Sequence, residues 1–348
     1  MAEQPVRVGI VGAGANTRQK HIPGFRAIEG VSVTGVVNRT PESTARAARE
    51  LDIPKTYPTW QALIEDPEID AVCIGTWPNL HCEVACAALA EGKHVLTEAR
   101  MSANAAEAHQ MLAASRAHPE LVAQIVPCPY GLVHDQFIRT LMKNGYLAEL
   151  REVVVIGVDD RHWDYTHFMH WRQDTRLSGL NALTLGMLHE TLLRWIPAPT
   201  RVFAQTTIFE PTRPSPHNST NEHVSVPESI QAITQIGGGA RGIYHLSGVS
   251  LFGPGQQIHL YGRSGTLKLI MGAEEELWCG RVGDKELQRV QLPAEDRGGW
   301  RVEAEFVGAI RGTESVRLTD FAAGVQYMEF TEAIVRSAET NLPVPLPL

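Results

Sequence analysis

The chain has 348 residues, of which 43% are hydrophobic and 20% charged, with a formal net charge of -8. This length is sufficient for two domains with sizeable cores, and the composition is typical of globular proteins. The acidic balance argues against a nucleic-acid partner, and the lack of an apolar run of about 18 residues argues against a membrane span.

Two features of composition predict a cytoplasmic protein. The start, Met1-Ala2-Glu3-Gln4-Pro5, lacks the basic and then apolar pattern of a secretory signal. The five cysteines are odd in number and irregularly spaced. A reducing compartment fits them better than a disulfide framework does.

Short apolar strands alternate with helical patterns in the first third of the chain. This alternation predicts a parallel, doubly wound sheet in an α/β domain, which we assign to residues 1–127. Thr40 as N-cap and Pro41 at the first helical position begin one helix, and Asn104 caps another. The predicted strands are 6–11, 31–37, 71–75, 94–97 and 121–126, and the predicted helices are 42–51, 81–91 and 104–117.

The pattern changes after residue 127, where strand and turn signals come to dominate. Two hairpins are predicted, over 229–246 around three consecutive glycines and over 257–270. Residues 210–228 are rich in Pro, Ser, Thr and Asn, which predicts a mobile loop. We therefore predict a second, α+β domain over 128–348 with a mainly antiparallel sheet. Its other predicted elements are a strand at 151–158 and helices at 137–144, 183–196 and 321–339.

The glycine-rich stretch 12–17 (Gly-Ala-Gly-Ala-Asn-Thr) follows the first strand and opens a helix. Gly12 permits a tight turn, and Gly14 lets the backbone approach a pyrophosphate at the helix N-terminus, beside Ala15 and Asn16. Thr17 replaces the usual third glycine, so the fingerprint is incomplete and a purely structural turn is the alternative. The preceding strand and the position at the start of the chain favour dinucleotide binding.

The second strand ends in Asn38-Arg39, where an acidic residue would bind the ribose 2′-hydroxyl of NAD. Asn38 does not repel a 2′-phosphate, and Arg39 can pair with one. These residues modestly favour NADP over NAD. The alternative is that Arg39 stacks on the adenine or lies in solvent.

Several motifs, in order along the chain, resemble the glucose–fructose oxidoreductase / inositol dehydrogenase / rhizopine-catabolism (Gfo/Idh/MocA) family. The resemblance spans nearly the whole chain. The matching segments are Gly9–Gly14 with His21-Ile22-Pro23, Thr76-Trp77-Pro78-Asn79-Leu80-His81, 91–96 leading into Glu98-Ala99-Arg100, Gly145–Leu150, Trp171-Arg172 and 258–269.

The resemblance implies a Rossmann domain followed by an open-faced antiparallel sheet. It also implies an NAD(P) cofactor, a sugar, polyol or cyclitol substrate, and pairing through the exposed sheet face into homodimers or homotetramers. Glu98 is expected under the cofactor ribose, while His81 caps its helix or contacts the cofactor. The motif positions assign Thr76, Trp77, His81, Glu98 and Arg172 to the cofactor, in addition to Gly12, Gly14, Ala15, Asn16, Thr17, Asn38 and Arg39.

The acid/base residues of the resembling family are largely missing. The lysine of its Glu-Lys-Pro motif is Ala99 here, and alignment of its Asp-x-Gly-x-His motif puts Leu185 at the aspartate. His189 remains and is the predicted catalytic acid/base, since imidazole titrates near neutrality. A core histidine beside Glu190 is the alternative. Arg100, near the lost lysine, is expected to hold substrate, or else to be a surface arginine.

Residues 159–172 contain an unusual density of polar and aromatic groups. We predict that His162, His167 and His170 bind a hydroxyl-rich ring, together with Asn181. A surface loop is the main alternative. A metal site with Asp159 or Asp164 is a weaker alternative, because the spacing matches no zinc motif, and we predict no metal. Cys82 and Cys86 are one helical turn apart and are expected to pack.

Three functions remain open at this stage. The first is an NAD(P)-dependent sugar or polyol dehydrogenase. The second is a redox-neutral enzyme that recycles a bound nucleotide during elimination or glycosidic cleavage, with His167 or His170 as base. The third is a non-catalytic sensor of nucleotide or sugar. The loss of Lys and Asp favours the last two, whereas the cofactor fingerprint and His189 favour an enzyme.

Overall fold

The computed structural model describes residues 5–348, so Met1–Gln4, on which the signal-sequence expectation rests, lie outside the described residues. The described chain forms two compact units. The first comprises the residues up to Pro127 together with Arg301–Val325, and the second comprises Cys128–Trp300 together with Gln326–Leu348. Between residues 5 and 348, no helix is long and apolar enough to cross a membrane.

The first unit contains a six-stranded sheet, counted over the described residues, in which every strand pairing is parallel. The predicted doubly wound sheet is confirmed. Chain order reverses between Val6–Val11 and Ala71–Ile74, and ligands bind such sheets at this switch point. In spatial order the strands are Lys55–Thr56, Val31–Val37, Val6–Val11, Ala71–Ile74, His94–Thr97 and Ala123–Ile125.

Local capping signals begin two helices of this unit as the sequence predicts. Thr40 accepts a hydrogen bond from the Ser43 amide with Pro41 in the first turn, and Asn104 accepts one from the Glu107 amide. The helix Val302–Ile310 was not predicted. The helices are Ile22–Arg26, Pro41–Glu50, Trp60–Ile64, His81–Ala90, Ala105–Ala117 and Val302–Ile310, with a π turn at Thr17–His21.

The second unit contains a nine-stranded mixed sheet in the part of the chain that the structure describes. Neighbouring strands are antiparallel, except that Leu150–Val158 and Arg241–Ser247 run parallel. Both predicted hairpins are confirmed. The spatial order is Gln288–Arg289, Glu275–Arg281, Gly265–Met271, Gly255–Gly262, Leu150–Val158, Arg241–Ser247, Ser229–Ile236, Pro199–Thr207 and Val344–Pro345.

The two faces of this sheet differ in burial. One face packs into the hydrophobic core, where Leu188 and Phe330 meet strand residues such as Leu246. The other face is open, and its register partners Ile233 and Ile243 are 59% and 54% exposed. The helices of the unit are Asp135–Lys143, Thr175–Ser178, Leu185–Leu193 and the part of Phe321–Thr340 that follows residue 325.

The stretch 210–228, predicted as a mobile loop, forms a short hairpin instead. Its strands Thr212–Pro214 and Asn221–His223 pair antiparallel. Arg213 is buried and forms an ion pair with buried Glu228, at 2.8 Å. The polar composition of the stretch concealed this ion pair.

Candidate functional site

The glycine loop at residues 12–14 lies at the switch point of the parallel sheet, against the end of the neighbouring strand. Gly12 has φ +87°, and a Cβ there would lie 2.9 Å from the backbone of Gly75 and of Thr76. A side chain is therefore excluded both by conformation and by space. The backbone runs into a helical turn at Ala15, which directs amide groups toward the open edge of the loop.

Asn38 fixes this loop from the neighbouring strand. Its Oδ1 accepts a hydrogen bond of 2.8 Å from the Ala13 amide, and its Nδ2 donates to the Ser43 carbonyl at 3.0 Å. Arg39 is exposed, with its guanidinium 5.5 Å from the centre of the Trp77 ring. Asn38 thus holds the loop in place, whereas the cationic guanidinium of Arg39 lies at the surface.

Glu98 belongs to a group of four polar residues within the first unit, which we call the His21 cluster: Asn16, His21, Glu98 and Glu303. The His21 ring lies between two carboxyl groups, with Nε2 3.0 Å from Glu98 Oε1 and Nδ1 2.5 Å from Glu303 Oε1. Asn16 Nδ2 donates to the same Glu98 oxygen at 2.6 Å. The ring of His21 is fully buried.

The electrostatics of the cluster favour a charged imidazole. Burial by itself lowers the pKa of His21, but hydrogen bonds to Glu303 and Glu98 outweigh it and raise the pKa to about 9. Burial likewise works to raise the pKa of Glu98, yet the hydrogen bond and charge of His21 leave it below its ordinary value. At neutral pH an imidazolium therefore holds the Glu98 carboxylate in place.

The sequence did not identify His21 or Glu303 as functional, although His21 lies in the His-Ile-Pro motif. Glu303 and Glu305 are both buried on the short apolar helix Val302–Ile310. A glutamate is seldom fully buried without a partner. Two glutamates in such an apolar stretch were the available signal for a buried polar site.

The residues after Glu98 are more enclosed than the sequence indicated. Arg100 is only 4% exposed, which excludes the surface arginine that was the alternative to substrate binding. His81 does not cap its helix, because Leu80 occupies the N-cap position. The buried His81 ring lies between two loops instead, with Nδ1 3.0 Å from the Arg100 carbonyl and Nε2 3.1 Å from that of Thr76.

His189 lies in the core of the second unit. It is 1% exposed, and its ring stacks on Phe330 with 3.7 Å between ring centres. Nδ1 shares a hydrogen bond of 2.8 Å with the Tyr244 hydroxyl, while Nε2 has no hydrogen-bond partner among residues 5–348. Burial lowers the pKa of His189 to about 3. Its catalytic role stays a prediction, and this placement favours the core-histidine alternative.

The acidic neighbour of His189 has a different partner. Glu190 pairs with Arg194 at 2.8 Å, and both side chains are buried. Leu185, at the expected aspartate position, is 1% exposed within the same core. This helix therefore carries an apolar surface and a separate ion pair.

The three histidines of the 159–172 segment have different surroundings. His162 packs against Gly248 and is partly buried. This burial and the positive charges of nearby Arg213 and Arg161 lower the pKa of His162 to about 4. His167 is exposed, with Nε2 3.3 Å from Asp164 Oδ2.

His170 has a local structural role, because its Nδ1 accepts a hydrogen bond of 3.2 Å from the Arg172 amide. The side chain of Arg172 covers the Trp171 ring at 4.1 Å. Asn181 is buried and donates to the Ser178 carbonyl at 2.7 Å. Over residues 5–348, no group of three or more His, Cys, Asp and Glu side chains is arranged to hold a metal ion.

Comparison with known families agrees with this architecture. Residues 6–126 match the model of the GFO/IDH/MocA oxidoreductase family with its NAD-binding Rossmann fold. Residues 136–268 match the model of the GFO/IDH/MocA C-terminal domain. The chain belongs to the Gfo/Idh/MocA oxidoreductase family. The family resemblance and fold class predicted from the sequence are confirmed.

Individual relatives are distant. A dTDP-3,4-didehydro-2,6-dideoxy-alpha-D-glucose 3-reductase from Saccharopolyspora spinosa is 28% identical over 153 residues, 44% of this chain and 46% of that protein. An inositol 2-dehydrogenase from Pseudomonas fluorescens is 29% identical over 147 residues, 41% of this chain and 43% of that protein. The chain thus aligns with less than half the length of each of these two curated relatives.

A solved structure shares the complete fold. Levoglucosan dehydrogenase in complex with NADH and levoglucosan superposes with a TM-score of 0.87 at 20% identity, covering 99% of this chain and 100% of the other. At 20% sequence identity, this structural similarity establishes a shared fold alone.

Proposed function

We propose that the protein is an oxidoreductase, with a preference for NADP(H), that moves a hydride between the nicotinamide and a carbon of a sugar, polyol or cyclitol. The observation that carries this proposal is the glycine loop at the switch point, beside the Glu98 carboxylate that His21 holds in place. The substrate class rests on relatives named for a deoxysugar, an inositol and levoglucosan.

The residues of the first unit fit a dinucleotide. A side chain at Gly12 would fill the space between the glycine loop and residues 75–76, and the helical turn at Ala15 would direct backbone amide groups to a diphosphate. Arg39 follows the strand Val31–Val37 and Trp77 follows the strand Ala71–Ile74, on either side of Val6–Val11, where the adenosine end binds in this fold. When bound, the nicotinamide supplies or accepts the hydride.

The preference for NADP(H) depends on Arg39. An exposed guanidinium with no acidic neighbour at Asn38 pairs well with a 2′-phosphate. We expect calorimetry to give tighter binding of NADPH than of NADH, and Arg39→Ala to lower that ratio by about tenfold. Arg49→Ala, in the last turn of the following helix, is the matched control and should leave the ratio unchanged. Equal affinities in the parent protein would contradict the preference.

Ala99 has no titratable group and cannot transfer a proton, so another residue must act as the acid/base. His189 is the sequence-based candidate, but its burial in an apolar core argues for a structural role. We propose His167, exposed and paired with Asp164, as the acid/base. His167→Ala should then lower kcat by at least about a hundredfold, and His189→Gln should mainly lower stability. Loss of turnover only in His189→Gln, with the melting temperature preserved, would reverse the assignment.

A substrate screen tests the activity itself. Sugars, polyols and cyclitols are mixed with the protein and NADP⁺, and their ketone forms with NADPH, while the reduced-nicotinamide absorbance is followed. Net turnover is the expected result. Sugar binding without any product would contradict the proposal and favour the sensor.

A redox-neutral reaction is the second candidate, because positions 99 and 185 both lack the family's titratable groups. In that case the purified protein retains its nucleotide and forms product without any net change in absorbance. Product analysis by chromatography, run beside the absorbance assay, distinguishes the two reactions.

We also propose that two copies of the chain pair through the open face of the second sheet. Exposed Ile233 and Ile243 are neighbours in register there, and exposed apolar patches of this kind mark contact surfaces. Light scattering should give a dimer or tetramer, which Ile233→Glu with Ile243→Glu should dissociate. A monomeric parent protein would exclude this pairing.

A further inference from the structure

The His21 cluster lies beside the glycine loop, at the edge of the parallel sheet where ligands bind. Glu98 follows the strand His94–Thr97, and its side chain is 17% exposed, whereas those of His21 and Glu303 are 0% and 5% exposed. Its partner Asn16 lies in the turn after the glycine loop, whose amide groups would attract a diphosphate. Nucleotide binding by this turn requires neither a buried histidine nor a second carboxyl group, so both need a reason of their own.

A π turn brings two polar side chains to one oxygen of Glu98. Asn16 and His21 are five residues apart, and in an α-helix residues at this spacing point to different sides. Here the Ile22 amide donates to the Thr17 carbonyl, five residues back. This wider turn lets Asn16 Nδ2 and His21 Nε2 both approach Glu98 Oε1, at 2.6 and 3.0 Å. Turns of this kind are rare and often occur at functional sites.

The positions of the two carboxyl groups favour a positive charge on His21. Its Nε2 faces Glu98 and its Nδ1 faces Glu303. A neutral imidazole has a single N–H, so one of its nitrogens would direct a lone pair at a carboxyl oxygen, whereas imidazolium donates from both nitrogens. Burial opposes the charge, but the two carboxyl groups outweigh it and raise the pKa of His21 to about 9.

Two further titratable groups near the cluster are neutral. Cys73, on the strand Ala71–Ile74, and His81 both lie close enough to Glu98 to feel its charge, and both are buried. Burial raises the pKa of the Cys73 thiol and lowers the pKa of the His81 imidazole. The charge of the cluster therefore depends on two carboxyl groups and on the proton that His21 carries.

Gly24 leaves room for the second carboxyl group. It lies inside the helix Ile22–Arg26, and a Cβ at this position would lie 2.7 Å from the Glu303 carboxyl group. Glycine inside a helix is destabilising relative to alanine. The chain carries glycine where alanine would push Glu303 away from Nδ1 of His21. The close approach of Glu303 is thus built into the neighbouring helix.

We propose that His21 is a positioning residue for the nucleotide, a role that rests on the proposed function. The Glu98 carboxylate, beside the turn that holds the diphosphate, repels this anion, and the imidazolium next to Glu98 reduces the repulsion. Glu303 orients the ring toward Glu98 from the other side. The affinity for the nucleotide therefore depends on the charge of a histidine that is buried away from solvent.

Calorimetry of the nucleotide-free full chain with NADPH tests this role. His21→Gln removes the charge, and NADPH should bind about tenfold more weakly at pH 7.5. Glu303→Gln added to His21→Gln removes one carboxylate and should restore most of the affinity, which a purely structural role of His21 would not allow. His118→Gln is the matched control, because His118 also lies near a glutamate, 3.6 Å from Glu120, but outside the cluster. Unchanged affinity in His21→Gln would overturn the proposal.

The pH profile of NADPH binding tests the charge in the parent protein. Between pH 7.5 and pH 9.5 the affinity should fall by up to about fourfold, since the pKa of His21 is about 9 and its proton is lost over this range. In His21→Gln the profile should be flat. In Glu303→Gln the fall should begin at a lower pH, because one of the two groups that raise the pKa of His21 is gone. A parent profile without a fall, or the same fall in His21→Gln, would overturn the proposal.

The role of His21 and the proposed function fail in different ways. A parent protein that binds neither NADPH nor NADH would contradict both. Nucleotide binding that ignores His21→Gln and the pH would overturn the role of His21 alone. Nitrogen NMR of the nucleotide-free protein should show both ring nitrogens of His21 protonated at pH 7.5. A neutral ring at this pH would overturn the role of His21, whatever the protein binds.

Discussion

His21 and His189 are both buried, one in each unit, yet their pKa values shift in opposite directions. His21 lies between two carboxyl groups, and its pKa is raised to about 9. His189 lies between a phenol and a phenyl ring, and its pKa is lowered to about 3. Burial disfavours the charged imidazole at both positions, so the partners alone account for the difference.

This difference changes what each histidine can contribute. The charged His21 pairs with Glu98, whose carboxylate also accepts a hydrogen bond from Asn16 beside the glycine loop. The neutral His189 fills space in an apolar core, where protonation at pH 7 would be unfavourable. Even where a motif places a histidine at a catalytic position, its partners therefore decide which protonation state it holds. The following variants test this for His21 and His189.

The largest effect is expected for His21→Leu. This change removes the imidazolium from between partly buried Glu98 and buried Glu303, and removing one partner of a buried ion pair costs about 3–5 kcal/mol. Urea unfolding monitored by circular dichroism measures the loss, and Glu303→Gln added to His21→Leu should recover part of it. A loss below about 1 kcal/mol would show that the cluster carries little charge.

At acidic pH, the change of the free energy of unfolding with pH should reflect His189. Its pKa is lower in the folded than in the unfolded protein, so between about pH 6.5 and pH 3 the unfolded chain binds more protons. The contribution of His189 to the free energy of unfolding is fully present above about pH 6.5. It falls as the pH drops through this window, by about 3 kcal/mol between pH 7 and pH 4. His189→Phe should flatten this decline in urea unfolding series. An unchanged decline would show that other groups control it.

At alkaline pH, the change of the free energy of unfolding with pH should reflect His21. Its pKa is higher in the folded protein, so its stabilisation is fully present below about pH 6.5 and is lost as the pH rises through about 9. The expected loss between pH 7 and pH 9 is about 2 kcal/mol. Unfolding of His21→Leu over the same range is the control and should show a smaller slope. Equal slopes in both proteins would contradict a raised pKa at His21.

The sequence predicted those features that depend on local signals. The caps at Thr40 and Asn104, five of the six described strands of the parallel sheet and both hairpins of the second sheet follow from neighbouring residues, whereas the two-residue strand Lys55–Thr56 was not predicted. The glycine loop was identified in the same way, because strand, turn and helix are consecutive. The family's motif positions then supplied Glu98 and His189 as residues of interest.

The partners of those residues were not predictable from local patterns. Glu303 meets His21 across 282 positions of sequence, on a helix that the pattern did not reveal. Tyr244 and Phe330, which enclose His189, come from a distant strand and a distant helix. The Arg213–Glu228 pair was concealed by a polar, loop-like composition. Protonation and burial depend on such long-range contacts.

The smallest effect is expected for Tyr244→Phe, which removes the hydrogen bond to His189 and keeps the rest of the aromatic packing. Both ring nitrogens of His189 then lack a partner, and we expect a loss of about 1–2 kcal/mol. Because His189 is held by packing and one neutral bond, whereas His21 is held by two carboxyl groups, this loss should be smaller than that of His21→Leu. Urea unfolding of the two variants at pH 7 makes the comparison. A larger loss for Tyr244→Phe would mean that the polar bond, and not the stacking on Phe330, holds His189 in the core.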